Sequence, residues 1–225
     1  MTNKLAPSLM CCDFFRLSEQ IRDFESTGTE LFHVDIMDGE FVPNFTLGTD
    51  FVRQLKKNTG VPLDIHLMVE HPERHLDSFL FGEGDYVSVH YESTKHLQRV
   101  LATIKARGAK ALLAINPATP VSVCEEVLDD IDGLLIMTVN PGFAGQKLIP
   151  QTLKKITDCR RYLDERGYGH IEIEVDGNVS FENSKKMHDA GANIYVAGTS
   201  SVFWNGDSIP ANIAKLREMT GGKTE

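Results

Sequence analysis

The chain has no apolar run near the ~18–20 residues that cross a bilayer as a helix, and its start lacks the basic-then-apolar pattern of a secretory leader. A cytoplasmic address is the resulting expectation. Cysteine is scarce: Cys11 and Cys12 are adjacent, Cys124 and Cys159 stand alone, and no CxxC pair occurs, which suits a reducing compartment. Positive charge is short as well. Lys and Arg number 23 against 32 Asp and Glu, a net charge of −9 that argues against nucleic-acid or anionic-membrane partners. It leaves a phosphorylated substrate open, because backbone amides at a helix start bind phosphate whatever the overall charge. No linker or low-complexity tract interrupts the chain, so one domain over residues 1–225 is expected. The remaining composition, 41% apolar and 24% charged, is that of an ordinary globular protein.

What is present is a recurring phrase. A helical stretch ends at a glycine, and a short apolar run follows two or three residues later. It occurs at Gly28 before LFHVDIM, Gly84 before YVSVH, Gly108 before ALLAI and Gly191 before IYVAG. Glycine there closes a helix in the left-handed conformation, so each instance reads as helix, cap, strand. With LAPSL, VPLDIHLMV, GLLIMTV and HIEIEV, eight strands are predicted at 5–8, 31–37, 62–68, 86–90, 110–115, 133–138, 170–175 and 194–197. Amphipathic stretches such as LSEQIRDFES, HLQRVLATIKA and TLKKITDCRRYL lie between them. Strict alternation means a parallel sheet. Eight units in so short a chain favour a single (β/α)8 TIM barrel of α/β class, and no GxGxxG follows the first strand to suggest a dinucleotide fold.

In such a barrel the chemistry sits at the C-terminal strand ends. Period-2 alternation puts His33, Asp35 and Met37 on one face of the second strand, Asp64, His66 and Met68 on one face of the third, and Glu172, Glu174 and Asp176 on one face of the seventh. Burying imidazoles and carboxylates together is costly unless something compensates. A divalent metal on His33, Asp35, His66 and Asp176 compensates, and this mixed N/O set suits Zn, Fe, Mn or Co over Mg or Ca. An internal salt-bridge network is the plainer reading for either histidine alone. Asp64 and Glu174, a layer deeper, either orient the histidines or serve as buried hydrogen-bonding groups. His90 is placed at the pocket without ligating, whereas His71, His75, His96, His170 and His188 are expected to face solvent. Three loops suit a phosphate: Pro141-Gly142-Phe143-Ala144-Gly145, Asp176-Gly177-Asn178 and Gly198-Thr199-Ser200-Ser201. Small residues there let backbone amides approach an anion, and a following helix adds its dipole.

HVDIMDGEFVPN, DIHLMV, MTVNPGFAGQ and IEVDGNV, with APSL at the start, closely resemble the ribulose-phosphate 3-epimerase family along the whole chain. The resemblance implies metal ligands at His33, Asp35, His66 and Asp176, with Asp35 and Asp176 also the acid/base pair that inverts C3 through an enediolate. It also implies an active-site serine at Ser8, a methionine wall of Met37, Met68 and Met137, phosphate-binding glycines at Gly142, Gly177 and Gly198, and dimers or hexamers. Four segments depart from the family pattern. LMCCDF stands for ILSADF at 9–14, Glu40 for histidine, and Ala144 and Asn178 each for a second glycine. LMC, Ala144 and the non-glycine after Asp-Gly are similar to the related D-allulose-6-phosphate 3-epimerases, so both the five- and the six-carbon substrate stay open.

Other functions fit less well. A metal-dependent hydrolase would not need three phosphate-type loops, and the usual HxH pair is absent. Cys11 and Cys12 as a metal-free acid/base pair are adjacent and cannot readily flank one carbon. A noncatalytic sugar-phosphate sensor gains nothing from two inward carboxylates. Phe41, Phe45 and Trp204 are expected at the surface, where they hint at contacts between copies.

Overall fold

A computed structural model describes residues 2–204 and 206–221. The strands are β1 (Lys4–Pro7), β2 (Phe32–Asp38), β3 (Phe45–Thr46), β4 (Leu63–Met68), β5 (Tyr86–His90), β6 (Lys110–Ile115), β7 (Gly133–Met137), β8 (Glu172–Asp176) and β9 (Ile194–Ala197). Neighbours run β1-β9-β8-β7-β6-β5-β4-β2-β3. The outermost parallel strands, β1 and β2, meet through a parallel bridge between Ser8 and His33, and Leu31 N–H donates to the Leu5 carbonyl at 3.4 Å. The eight parallel strands thus close as the expected barrel. Their bounds fall within two residues of expectation, the largest shift being 170–175 against Glu172–Asp176. The ninth strand, β3, was not expected. It pairs antiparallel with the end of β2, Met37 opposite Thr46 and Asp38 opposite Phe45.

The helices are α1 (Leu17–Ser26), α2 (Thr49–Asn58), α3 (Leu97–Ala106), α4 (Gln151–Glu165), α5 (Phe181–Asp189) and α6 (Ile209–Met219). Gly28 and Gly108, past the ends of α1 and α3, adopt φ of +65° and +84°, the left-handed conformation read from the sequence. Gly84 instead follows 3-10 turns at Pro72–Arg74 and Leu76–Ser78, so no α-helix links β4 to β5. The β6–β7 connection is also 3-10, over Val121–Asp130. Three β-branched valines lower its helix propensity, and Asp129 and Asp130 sit at the end where the helix dipole disfavours anions.

The main apolar layer lies between sheet and helices, not inside the barrel. Val34, Ile36, Ile65, Leu67, Val87 and Val89 point outward from the strands and pack with Phe24 of α1, Val52 of α2 and Leu101 of α3. Alternation therefore turns the other strand face, with its histidines and acids, to the barrel axis. Among the described residues no helix is long and apolar enough to cross a membrane.

Candidate active site

Register brings the polar residues to one level. Asp35 pairs with His66 across β2 and β4, His33 pairs with Asp64 one step below, and Met137 pairs with Asp176 across β7 and β8. His33 Nε2 lies 3.3 Å from Asp35 Oδ1, and His66 Nδ1 lies 3.9 Å from Asp35 Oδ1 and 3.7 Å from Asp176 Oδ2. One ligand atom from each of the four residues falls within 4.8 Å of all the others. His33 Nε2 and His66 Nδ1 are both buried and make no hydrogen bond. Two bare imidazole nitrogens facing two carboxylates are hard to justify as a plain polar network. Bonds of about 2.0–2.2 Å around a tetrahedral ion place its ligands roughly 3.3–3.6 Å apart, close to the spacings seen here. The four residues fit a divalent ion.

His33 is held from behind by Asp64, one of the two acids read as lying a layer deeper. His33 Nδ1 bonds Asp64 Oδ2, with Glu174 Oε1 3.5 Å away. Burial alone would lower the His33 pKa, but Asp64 and Asp35 on either side hold it well above its ordinary value. Burial and the Asp64 charge push Glu174 well above the usual carboxylate range. The two upper aspartates diverge. Burial would raise Asp35, but His33 and the Ser8 hydroxyl, which donates to Oδ2 at 2.6 Å, hold it below its ordinary value. Burial and the neighbouring Asp35 and Asp64 charges raise Asp176 to about 7.

Above them opens a cleft. It is lined by Ser8, Asp35, Met37, Met68, Met137, Gly142, Phe143, Ala144, Gly145, Asp176, Gly177, Asn178, Gly198 and Thr199. His66 is the one expected substrate contact outside that lining; it is fully buried beneath the aspartates. His90 does not line the cleft either. Its ring is fully buried, stacked against His66 at 5.0 Å between centroids and covered by Phe41 at 4.6 Å. Phe41 is accordingly half-buried, not a free surface aromatic, whereas Phe45 and Trp204 are exposed. His188 is also partly buried, against the Tyr195 hydroxyl at 3.0 Å, and His71 is half-buried.

The loops meet as expected, with one difference: residues 199–203 form turns, so no short helix begins behind Gly198. Asn178 adopts φ of +50°, where glycine is easier, and is fixed by its own side chain. Its Nδ2 donates to the Gln146 carbonyl at 2.7 Å, and its Oδ1 accepts from Asn183 Nδ2 at 2.7 Å, tying the β7 and β8 loops together.

Met10, Val139, Asn140, Gln146, Val179 and Val196 join the cleft wall without having been read as site residues, and Cys11, weighed only as half of a cysteine pair, lies there too. Burial and the Asp35 charge push the Cys11 thiol up to about 11, and Cys12 turns into the apolar core, so the pair cannot act as acid and base. Asp38 accepts from the backbone N–H groups of Glu40, Phe41 and Glu70, at 2.8–2.9 Å, and fixes the turn after β2. Glu40 itself is exposed.

A parallel barrel gathering paired carboxylates and three glycine loops at its mouth defines an enzyme of small phosphorylated substrates. The model of the ribulose-phosphate 3 epimerase family matches residues 4–203. A Bacillus subtilis ribulose-phosphate 3-epimerase is 44% identical over 220 residues, 98% of this chain and 99% of that protein. A Methanocaldococcus jannaschii ribulose-phosphate 3-epimerase is 40% identical, with coverages of 96% and 90%. A tryptophan synthase α-subunit from Pyrococcus furiosus shares the fold at TM-score 0.66 and 15% identity, covering 98% of this chain and 100% of its own. The chain belongs to the ribulose-phosphate 3-epimerase family. It is an isomerase, a carbohydrate-phosphate epimerase.

Proposed function

We propose that the protein interconverts D-ribulose 5-phosphate and D-xylulose 5-phosphate by inverting C3, with Asp35 and Asp176 as the proton-transferring pair. The observation that carries this reading is the pair itself: two carboxyls, from β2 and β8, that meet at one level on the floor of the cleft. Asp35, kept ionised by His33 and Ser8, takes the C3 proton from one face. The C3–H electrons move toward the C2 carbonyl to give an enediolate, and Asp176 delivers a proton to the opposite face. The reverse reaction exchanges the two roles. One carboxyl could only return the proton to the face it left.

His33, Asp35, His66 and Asp176 would hold one divalent ion, of the Zn, Fe, Mn or Co class by donor set. When bound, the ion supplies Lewis-acid polarisation of the ketose oxygens. Met37, Met68 and Met137 form the soft wall that keeps water from the reacting carbons. Gly142, Phe143, Ala144, Gly145, Gly177, Asn178, Gly198 and Thr199 line the end of the cleft suited to the phosphate. The reading places the enzyme in the cytoplasm as one catalytic domain and a homo-oligomer, a dimer or hexamer; exposed Phe45, Phe143 and Trp204 suit contacts between copies.

A second substrate, D-allulose 6-phosphate giving D-fructose 6-phosphate, is favoured by Cys11 in the cleft wall and by Ala144 and Asn178 in the phosphate loops. Turnover on both ketose phosphates, side by side and with or without chelator, decides between them. A large preference for the five-carbon sugar supports the first reading. A preference for the six-carbon sugar replaces it with the second, and no turnover on either by metal-loaded protein overturns both.

A further inference from the structure

His66 and His33 are secured differently. His33 turns Nε2 to the metal cluster and gives Nδ1 directly to the Asp64 carboxylate. His66 turns Nδ1 to the cluster, and its Nε2 meets Nε2 of His90 at 2.8 Å. The His66 and His90 rings are both fully buried, and His66 Nδ1 has no hydrogen-bond partner. At such a contact one nitrogen must carry hydrogen and the other a lone pair.

The choice is made one step further out. His90 Nδ1 lies 3.3 Å from Glu92 Oε2. Glu92 is held at a pKa of about 2: burial is outweighed by His90, the Thr119 hydroxyl and the Asn116 backbone N–H. An ionised carboxylate only accepts, so His90 Nδ1 carries hydrogen and His90 Nε2 is bare. His66 Nε2 must then be the donor, which leaves His66 Nδ1 with its lone pair facing Asp35 and Asp176.

We propose that Glu92, acting through His90, sets the tautomer of His66 so that Nδ1 is available as a metal ligand. Glu92 and His90 are positioning residues; neither lines the cleft. This rests on the metal reading given above.

The other carboxylate oxygen makes the idea testable. Glu92 Oε1 accepts from Asn116 N–H at 3.0 Å and from the Thr119 hydroxyl. A backbone N–H can only donate, so in Glu92→Gln the amide oxygen stays with Asn116 and the NH2 group faces His90 Nδ1. Every bond in the chain then reverses, and His66 presents N–H to the cluster. Glu92→Ala removes the orienting group without reversing it. If Glu92 were only structural, glutamine, nearly the same shape, would be the milder change. The tautomer chain ranks glutamine as the more damaging.

The experiment titrates metal-free wild type, Glu92→Ala and Glu92→Gln with Co²⁺, with folding checked by circular dichroism. Two-bond ¹H–¹⁵N spectra of the histidine rings are recorded on the same proteins. The expected result is Co²⁺ affinity about 10–100-fold weaker in Glu92→Gln, with a smaller loss in Glu92→Ala. Wild-type spectra should show hydrogen on His66 Nε2 and His90 Nδ1, reversed in Glu92→Gln. Hydrogen on His66 Nδ1 in the wild type, or Glu92→Gln binding Co²⁺ at least as tightly as Glu92→Ala, overturns the proposal. Failure of the wild type to bind one equivalent of Co²⁺ overturns the metal reading instead, and the wild-type ring spectra still decide the tautomer.

Discussion

Replacing Gly177 with alanine should damage the protein more than its size suggests, while the same change at Gly145 should be mild. Gly177 has φ of +118°, and a Cβ there would sit 2.6 Å from Val139 Cγ2, 2.8 Å from the Val139 backbone nitrogen and 2.9 Å from Thr138 Oγ1. Neither Thr138 nor Val139 can easily withdraw: the Thr138 N–H donates to the Asp176 carbonyl at 2.7 Å, and its hydroxyl donates to the Asp176 and Gly177 carbonyls. Left-handed backbone costs an L-residue about 1–2 kcal/mol, and overpacking a tight site adds about 1–3 kcal/mol. Restricting the unfolded chain returns about 0.4–1 kcal/mol. The net loss at Gly177 is about 2–4 kcal/mol, or roughly 5–15 °C in Tm for a chain of this size. Gly145 has φ of +80° but nothing within 4 Å of the added methyl, so only the backbone strain remains, about 1 kcal/mol or less after the offset. Calorimetric melts of the two variants test the difference. Relieving the clash must also move Gly177 away from β7 and carry Asp176 with it, so kcat should fall in Gly177→Ala. Equal melting shifts, or an unchanged kcat in Gly177→Ala, would show that the close approach of β7 and β8 is not what requires glycine.

Asp35→Asn and Asp176→Asn should each fold and lose epimerisation by at least about 10²-fold, the usual contribution of one positioned acid or base; near-normal rates in either remove the two-aspartate mechanism. Asp64→Asn should weaken metal binding about 10–100-fold by loosening His33, whereas Glu174→Gln should change it only a few-fold. Burial and the Asp64 charge favour the neutral form of Glu174, so the amide is the smaller change; equal losses in competition with a chelator would contradict that ordering. At the far end of the barrel Glu172 is bonded by Lys4 and by the Tyr86 hydroxyl at 3.0 Å, with Lys110 Nζ 3.4 Å away. Burial opposes its ionisation, but the Lys4 and Lys110 contacts lower its pKa overall. A depressed acid stabilises the fold above its unfolded pKa, and that contribution fades as pH falls through the folded value. Glu172→Gln should therefore cost about 1–3 kcal/mol at pH 7 and less below about pH 4, without changing metal affinity. A urea-midpoint difference that stays constant from pH 7 down to about pH 3 would refute the assignment.

The His/Asp cluster was legible because alternation has only two faces. Once the outward residues of 31–37 and 62–68 are read as apolar, His33, Asp35, Asp64 and His66 can only point to the axis, and closure of the barrel adds Asp176 at the same height. Asp64 could be set behind a histidine by counting one step down the strand. His90 could not be placed this way. Its role depends on a ring contact across two strands and on Glu92 being held by Asn116 and Thr119 from the next loop, which no spacing rule encodes. β3 stayed hidden because two residues carry no period, and its formation depends on the turn that Asp38 fixes. The 3-10 connections after β4 and β6 were masked by apolar residues at near-helical spacing; prolines, valines and terminal acids decided the backbone there.

The polar interior also explains why this barrel tolerates so many buried ionisable groups. Its large apolar layer is the shell between sheet and helices, built from the outward face of the same strands. Inside, apolar packing is confined to small clusters such as Ala6, Leu31, Tyr86, Leu112 and Ile194, and Ala114, Leu135 and Met137. Polar groups occupy the axis at three depths: Lys4, Lys110 and Glu172 at the base, Asp64 and Glu174 midway, and the Asp35, His66 and Asp176 group at the mouth. The base is neutralised by lysines from β1 and β6. The middle has no lysine or arginine partner, and three of its carboxylate oxygens, one on Asp64 and both on Glu174, make no hydrogen bond. Positive charge above such a layer stabilises it. A divalent ion at the mouth would add that charge, so loss of an ion bound there should weaken the barrel as well as the chemistry.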